Sequence, residues 1–250
     1  MAQMNSPNTH LVIIPAFNPG RLLASTVGEA LANWAHIWVV VDGSTDGSHG
    51  RLHAIARERP GLRVIVRRAN GGKGAAVLTG ALEALGAGFT HALVMDADGQ
   101  HPADRIAEFM QVSMKEPNAL VCGRPVFGPD APKARLYGRR LSVGLVRMET
   151  SGRGAADPLF GFRVYPLAPL VRILQGTRGA RRYDFDPEMA VRLAWQDTPA
   201  INLSAACRYV GRDRGGVSHF RYLRDNLRMI GMHARLLGAL VLGRRGASAT

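Results

Sequence analysis

Cysteine and lysine are the scarce residues of this 250-residue chain. Its two cysteines, Cys122 and Cys207, both lie in apolar surroundings and read as small buried thiols of a reducing compartment, which excludes a disulfide-stapled fold. None is needed: with 46% hydrophobic residues over this length, a substantial core forms without a staple or a structural metal. No apolar run approaches the roughly 20 residues of a membrane-spanning helix. The opening "MAQMNSPNTH" lacks a basic region followed by an apolar one, so no secretory signal is read. The expectation is a cytoplasmic protein, soluble or peripheral on the inner face of the cytoplasmic membrane. Aromatic residues make up only 6% of the chain and no nucleic-acid module is recognisable, so no nucleic-acid partner is expected. Linkers, low-complexity segments and solenoid repeats are missing too.

Lysine occurs only at positions 73, 115 and 133, so the basic residues are nearly all arginine. They outnumber the acids 32 to 19, a formal charge of +13. Such a surface favours phosphate-bearing partners, though charge alone does not choose among nucleotides, nucleic acid and anionic membrane.

The order of the chain is more telling. "HLVIIPAF" is a β-branched run closed by Asn18-Pro19-Gly20, and a helical stretch follows from about Arg21 to Asn33. "HIWVVVDGSTDGS", "LRVIVRRANGGKGAAVLTGALEAL" and "THALVMDADGQHPADRIAEFM" repeat the scheme of strand, turn and helix. This alternation predicts βαβ units on a largely parallel sheet, whose ligand lies at the carboxyl ends of the strands. Asn18, Asp42, the glycines around Lys73, and Asp96 with Asp98 all fall at such ends. A fifth strand is expected from Ala119 to Gly123, followed by a loop and an arginine-studded helix. "DPLFGFRVYP" reads as a strand or a compact loop. "DFDPEMAVRLAW" reads as a helix capped by Asp186 with Pro187 at its first position, and "INLSAACRYV" as a late strand.

A buried strand running into two carboxylates, as in "LVMDADGQHP", needs a positive charge at its end. Asp96, Asp98 and the amide oxygen of Gln100 are hard donors suited to Mg²⁺ or Mn²⁺, the cofactor expected here. An EF-hand is excluded, because the loop glycine comes too early and its twelfth position is Ala107. Asp42 follows a strand where it could accept hydrogen bonds from a nucleobase, with Ser44, Thr45 and Asp46 as capping candidates. Gly71-Gly72-Lys73-Gly74 opens a helix with bare backbone and a cation, a setting for anions. Glycine after the lysine excludes a Walker A loop, and Val77 occupies the place of the third glycine of G-x-G-x-x-G.

Taken in order, "VIIPAFN", "VVDGSTDGS", "NGGKGAA", "MDADGQHP", "CGRP" and "DPLFGFRVYP" resemble the family 2 glycosyltransferases of GT-A fold. The branch most similar is that of the dolichol- or polyprenyl-phosphate sugar transferases. The resemblance is clear over about residues 11–165 and looser through "RYDFDPEMAVRLAW" to "GGVSHFRYLRDN". It implies a GT-A domain over about 10–215 followed by a C-terminal helix and tail, 216–250. It further implies a UDP- or GDP-sugar donor, with Pro15, Phe17, Asn18 and Asp42 about its base and ribose and Lys73 beside the base or diphosphate. Asp96, Asp98 and Gln100 would hold the metal that bridges the diphosphate, Arg124 would lie near the phosphates, and Arg139 or Arg140 would serve an acceptor phosphate. Pro19 and Val41 depart from the family pattern, which usually has an acidic residue after the asparagine and an Asp-Asp pair, so the base bound is not specified. Transfer by direct displacement with inversion follows, to a lipid phosphate or other lipid-linked acceptor. A hydroxyl acceptor would require a base, for which Asp157, Asp186 and Glu188 are the candidates.

From Phe220 to Val241 the apolar residues Leu223, Leu227, Ile230, Ala234, Leu237 and Val241 recur at spacings of three and four, with Arg221, Arg224, Arg228 and Arg235 on another face. Such a helix suits an anionic membrane surface, or else packs on the core with its arginines solvated. Two other function classes remain open: a sugar-phosphate nucleotidyltransferase, disfavoured by "PAFNPG" where a glycine-rich loop belongs, and a non-catalytic nucleotide- or membrane-binding module.

Overall fold

The computed structural model describes residues 8–128, 133–208 and 221–243. The chain runs β1 (His10–Ala16), α1 (Leu22–Asn33), β2 (Ile37–Asp42), α2 (Gly50–Glu58), β3 (Leu62–Arg67), α3 (Lys73–Gly86) and β4 (His91–Val94). It continues through α4 (Ile106–Lys115), β5 (Leu120–Phe127), α5 (Lys133–Glu149), β6 (Arg163–Pro166), α6 (Leu167–Gly176), α7 (Phe185–Trp195), β7 (Ala200–Cys207) and α8 (Tyr222–Val241). The strands form one sheet in the order β3-β2-β1-β4-β6-β5-β7, parallel except for β6, which runs antiparallel to both β4 and β5. The mostly parallel α/β sheet expected from the alternation is therefore present. The strand order reverses between β1 and β4, the switch point at which open sheets of this kind place their ligands.

Both faces of the sheet are covered. Leu11, Ile13 and Val40 point to the side packed by α3, α6 and α7, with Val77, Leu170, Phe185 and Met189. Val12, Ile14 and Leu93 point to the side packed by α1, α2 and α4, with Leu23, Leu52, Ile106 and Phe109. Burial on both faces explains why β1 and β2 are continuous apolar runs. A smaller cluster of Val146, Val191, Met232 and Leu236 joins α5, α7 and α8.

Three expectations are corrected and one left open is resolved. Strand β5 runs on through Arg124, Pro125 and Val126 to Phe127, because β7 pairs with it in register from Leu120↔Ala200 to Phe127↔Cys207. "DPLFGFRVYP" is both a loop and the short strand β6. Helix α7 begins at Phe185 with Asp184 at its N-cap, so Asp186 is already in the first turn and Pro187 follows it. The Asp184 carboxylate accepts from the amides of Ala180 and Arg182, fixing the preceding turn. Ser44 and Asp46 do not cap α2; they accept from the amides of Asn18 and Gly20 and so stitch the loop after β2 to that after β1. The proposed boundary at 215/216 lies outside the described residues.

At the opposite, amino-terminal end of the sheet, His10 and His91 are register partners whose rings stack at 4.5 Å and 6°. His91 Nε2 donates to the Pro117 carbonyl, and His10 Nε2 meets the Ser113 hydroxyl at 3.2 Å. Burial, with His91 beside it, lowers the His10 pKa to about 4. The folded ring thus stays neutral where the unfolded one takes a proton, so stability is lost as pH falls from about 6.5 towards 4. The expected result is a melting temperature that declines over that range, with a shallower decline in His10→Gln; parallel curves would show that the pair does not set the acid limb.

Candidate active site

Four loops converge at the carboxyl ends of β1 to β4. After β1 the chain turns through Asn18, whose positive φ of 43° is a conformation asparagine tolerates. Asn18 Oδ1 accepts from the Thr45 amide at 2.8 Å. Asp42, the last residue of β2, is buried, and its carboxylate turns into the loop after β3. It accepts from the amides of Gly71 and Gly72 and forms an ion pair with Arg67. Asp42 therefore shapes the glycine loop directly, an internal role the sequence did not disclose. Gly72 has φ 93°, and a Cβ on Gly74 would lie 1.8 Å from the Ala180 carbonyl oxygen. Glycine at these two positions lets α3 begin against the 180–182 turn, where the Gly74 amide donates to the Arg181 carbonyl.

Strand β4 delivers Asp96 and Asp98. Asp96 Oδ1 is 2.7 Å from Lys73 Nζ, and the same ammonium donates to Asp186 Oδ2 at 2.7 Å. Burial opposes ionisation of Asp96, but Lys73 and then His101 outweigh it, so its pKa is lowered. Among the described residues no cation lies within ion-pair distance of Asp98, and Lys73 acts on it only weakly compared with burial and Asp96. Burial and the neighbouring Asp96 charge push its pKa up to about 6, and its Oδ1 accepts the Gln100 amide at 3.1 Å. The sequence brought no role to His101, yet its Nδ1 accepts the Asp96 amide at 2.9 Å and its ring lies against Phe160 and Phe162. Burial lowers its pKa to about 4, so the ring is neutral and holds the carboxylate loop as a hydrogen-bond acceptor. The Gln100 carbonyl accepts the Arg208 amide, tying this loop to the end of β7.

The donor set fits a divalent cation. Two carboxylates share one loop, among the described residues only Asp96 is ion-paired, and a buried oxygen of Asp186, Oδ1, has no hydrogen-bond partner there. Among the described residues no group of three or more His, Cys, Asp or Glu side chains is gathered for a metal. A site of the Mg²⁺ type does not require such a group, since one or two carboxylates bind the ion and substrate phosphates complete it.

The remaining candidates are placed as follows. Arg124 is exposed on β5 and donates to Ser204 at 3.1 Å. Arg139, on α5, is ion-paired with Asp157, whose other oxygen accepts the Leu159 amide; Arg140 is exposed on the same helix. Glu188 is fully buried and accepts from Ala180, Arg192 and Arg235, joining α7 to α8. It ties α7 to α8 with three donors on its carboxylate. Pro15 and Phe17 are half-buried beside Asn18. Cys122 is buried as expected, whereas Cys207 is half-buried at the end of β7, within electrostatic reach of Arg139, Asp98 and Asp157. Arg163 was also missed: a lone arginine inside the apolar "FGFRVYP" was the available signal. It is wholly buried, and donates to the carbonyls of Phe160, Asp157 and Asp186.

The model for "Glycosyl transferase family 2" matches residues 11–170, a span that holds every strand-end loop just described. The chain belongs to glycosyl transferase family 2. It is 26% identical over 190 residues to a UDP-N-acetylglucosamine–dolichyl-phosphate N-acetylglucosaminyltransferase of Methanococcus voltae, covering 69% of this chain and 75% of that one. To the polyprenol monophosphomannose synthase of Mycolicibacterium smegmatis it is 29% identical over 189 residues, 73% of this chain and 71% of the relative. It spans only 54% of a dolichol-phosphate mannosyltransferase of Mycosarcoma maydis, at 30% identity over 162 residues. A mannosyltransferase from Pyrobaculum calidifontis, solved with GDP-Man and Mn²⁺, superposes with a TM-score of 0.62 at 17% identity, over 93% of this chain and 64% of that one. That likeness establishes the GT-A fold. The family 2 chain described here also shares this fold with Staphylococcus aureus TarS 1-349 in complex with UDP-GlcNAc, at a TM-score of 0.57 and 14% identity.

Proposed function

We propose that this protein transfers a sugar, with inversion, from a nucleoside diphosphate sugar to a polyprenyl-type lipid phosphate, with a divalent cation at Asp96, Asp98 and Gln100. The observation that carries the reading is the strand-end carboxylate pair at the switch point of a family 2 fold, with Asp96 paired to Lys73 and Asp98 in no ion pair with the described residues. The bound ion would neutralise charge growing on the departing diphosphate. An acceptor oxygen forms its bond to the anomeric carbon as the carbon–oxygen bond to the diphosphate breaks, and that electron pair leaves with the diphosphate. Lys73, and Arg124 at the rim of β5, supply positive charge where it accumulates.

The state of the three carboxylates that were base candidates supports this acceptor class. Glu188 is sealed and triply bonded, Asp157 is held by Arg139 and the Leu159 amide, and Asp186 is held by Lys73. A hydroxyl acceptor would need a base, and of these three only Asp186 keeps an oxygen without a hydrogen bond, itself buried beside Lys73, whereas a phosphate monoester is already anionic and needs no base.

Helix α8 supports a lipid-borne acceptor. Its core-facing side is Asp225, Met232, His233 and Leu236, all buried. The apolar stripe read from the sequence faces outward instead, with Leu223 75%, Leu227 59% and Ile230 64% exposed, beside outward Leu141 and Met148 of α5. Arg224 and Arg228, paired to Asp225, flank the stripe. Among the described residues no helix is long and apolar enough to cross a membrane. An apolar stripe bordered by arginines instead suits the surface of an anionic bilayer.

The test is nucleoside diphosphate release with Mn²⁺ or Mg²⁺ from a panel of UDP- and GDP-sugars, with and without polyprenyl phosphate in anionic vesicles. Release is expected to require metal and to rise with the lipid phosphate. The Leu227→Asp/Ile230→Asp variant is expected to lose the rise and vesicle co-sedimentation together. Release indifferent to lipid phosphate would overturn the acceptor assignment.

A further inference from the structure

Lys73 occupies an awkward place. It is the first residue of α3, where the helix dipole disfavours a cation, and its side chain is only 18% exposed. Two acids hold it there. Nζ lies 2.7 Å from Asp96 Oδ1 and 2.7 Å from Asp186 Oδ2, over the ring of Phe185, whose centroid is 5.9 Å away. Burial alone would lower its pKa, but Asp186 and then Asp96 outweigh that and raise it. The chain also leaves room for the ammonium: a Cβ on Gly161 would lie 2.3 Å from Nζ and 3.2 and 3.3 Å from the two Asp186 oxygens. Asp186 is only 8% exposed, and its second oxygen, buried beside the ammonium, has no partner.

One lysine thus bridges the proposed metal ligand Asp96 and an acid that has acceptor capacity to spare. We propose that Lys73 is a resident counter-ion of the metal site: it neutralises Asp96 in the free protein, gives Asp96 up when a divalent cation arrives, and is retained beside the site by Asp186. Asp186 is then a positioning residue for Lys73 and not a base. The inference rests on Asp96 and Asp98 being the metal pair. Its consequence is ordered chemistry. A cation arriving alone meets an ammonium already on its ligand, whereas one arriving with a nucleoside diphosphate brings a new anionic partner for that ammonium. Metal and nucleotide therefore bind cooperatively, each strengthening the other by the same factor.

The experiment is Mn²⁺ binding followed by electron paramagnetic resonance, with and without GDP or UDP, on the wild type, Lys73→Met and Asp186→Asn, each checked for folding by its thermal melt. Lys73→Met is expected to bind Mn²⁺ alone about tenfold more tightly than the wild type, through loss of a like charge at the site, and to lose most of the enhancement by nucleotide. Asp186→Asn, which leaves Asp96 as the only anionic partner of Lys73, is expected to bind Mn²⁺ alone about fivefold more weakly. A merely structural lysine would give weaker binding in both variants or none changed, and either result overturns the counter-ion. If Lys73→Met does not fold, the sign of the Asp186→Asn shift decides. A separate control isolates the underlying reading: if Asp98→Ala binds Mn²⁺ with nucleotide as well as the wild type does, the metal pair itself is misassigned and the counter-ion falls with it.

Discussion

Asp98→Ala is expected to lower nucleoside diphosphate release by about 10²- to 10³-fold, the scale on which enzymes lose rate when one preorganised group facing transition-state charge is removed. The metal-free protein should melt no lower than the wild type. The reason lies in the asymmetry of the pair. Asp96 has Lys73 to stabilise its charge, whereas Asp98 is held at a pKa of about 6 by burial and by Asp96 itself. A carboxyl group whose pKa is raised by folding weakens the fold once ionised, so the contribution of Asp98 itself to stability rises as pH falls from about 6 towards 3.8, against the loss that His10 brings over the same range. Removing the carboxyl relieves that repulsion while taking away a metal ligand. Activity and stability would then move in opposite directions, which separates a ligand from a structural acid. An unchanged rate, or a lowered melting temperature accompanying the lost rate, would count against the assignment. Asp98→Asn serves as the matched control, since it keeps the shape and an oxygen for the Gln100 amide but not the charge.

The strand-end loops were legible in the sequence because each is a local event: a β-branched run stopped by a turn residue, then a helical period. Asn18, Asp42, Lys73, Asp96 and Asp98 fell at strand ends as that pattern required, and the parallel order of the first four strands followed. What escaped depends on partners distant in the chain. Strand β6 has four residues and exists because β4 and β5 pair with it on both sides. The extension of β5 across Gly123 and Pro125 is sustained by β7, some 80 residues later; read alone, those two residues look like breakers. Asp186 was read as a cap because Asp-Pro so often opens a helix, but Asp184 takes that position and Asp186 is drawn to Lys73, 113 residues away. For α8 the periodicity was correct, and only the packing of Met232 and Leu236 against Val146 and Val191 reveals that the strongest apolar stripe is not the one that faces the core.

Arg163→Met is expected to cost about 3–5 kcal/mol of stability, the range found when a buried charged network loses one partner, read from urea or guanidinium midpoints at unchanged slope. Arg163 is the first residue of β6, in register with Val94 of β4 and Cys122 of β5, and it is wholly buried. Its guanidinium donates to the Phe160 carbonyl at 3.0 Å, the Asp157 carbonyl at 3.1 Å and the Asp186 carbonyl at 2.7 Å. One planar fork thereby gathers the 157–162 loop and the first turn of α7 at the end of the strand that leads into Asp96. Methionine fills much of the volume but leaves three buried carbonyls without a donor, and each unsatisfied group carries its own desolvation penalty. Arg163→Lys should recover only part of the loss, because a single ammonium lacks the fork geometry to meet carbonyls arriving from different directions. The same knot fixes the backbone of Asp186 and the loop carrying Gly161, so a destabilised but folded Arg163→Lys protein should also bind Mn²⁺ with nucleotide more weakly. A loss under about 1 kcal/mol in Arg163→Met, the worth of one ordinary hydrogen bond, would show that these carbonyls find other donors and that the site is not held together by this residue.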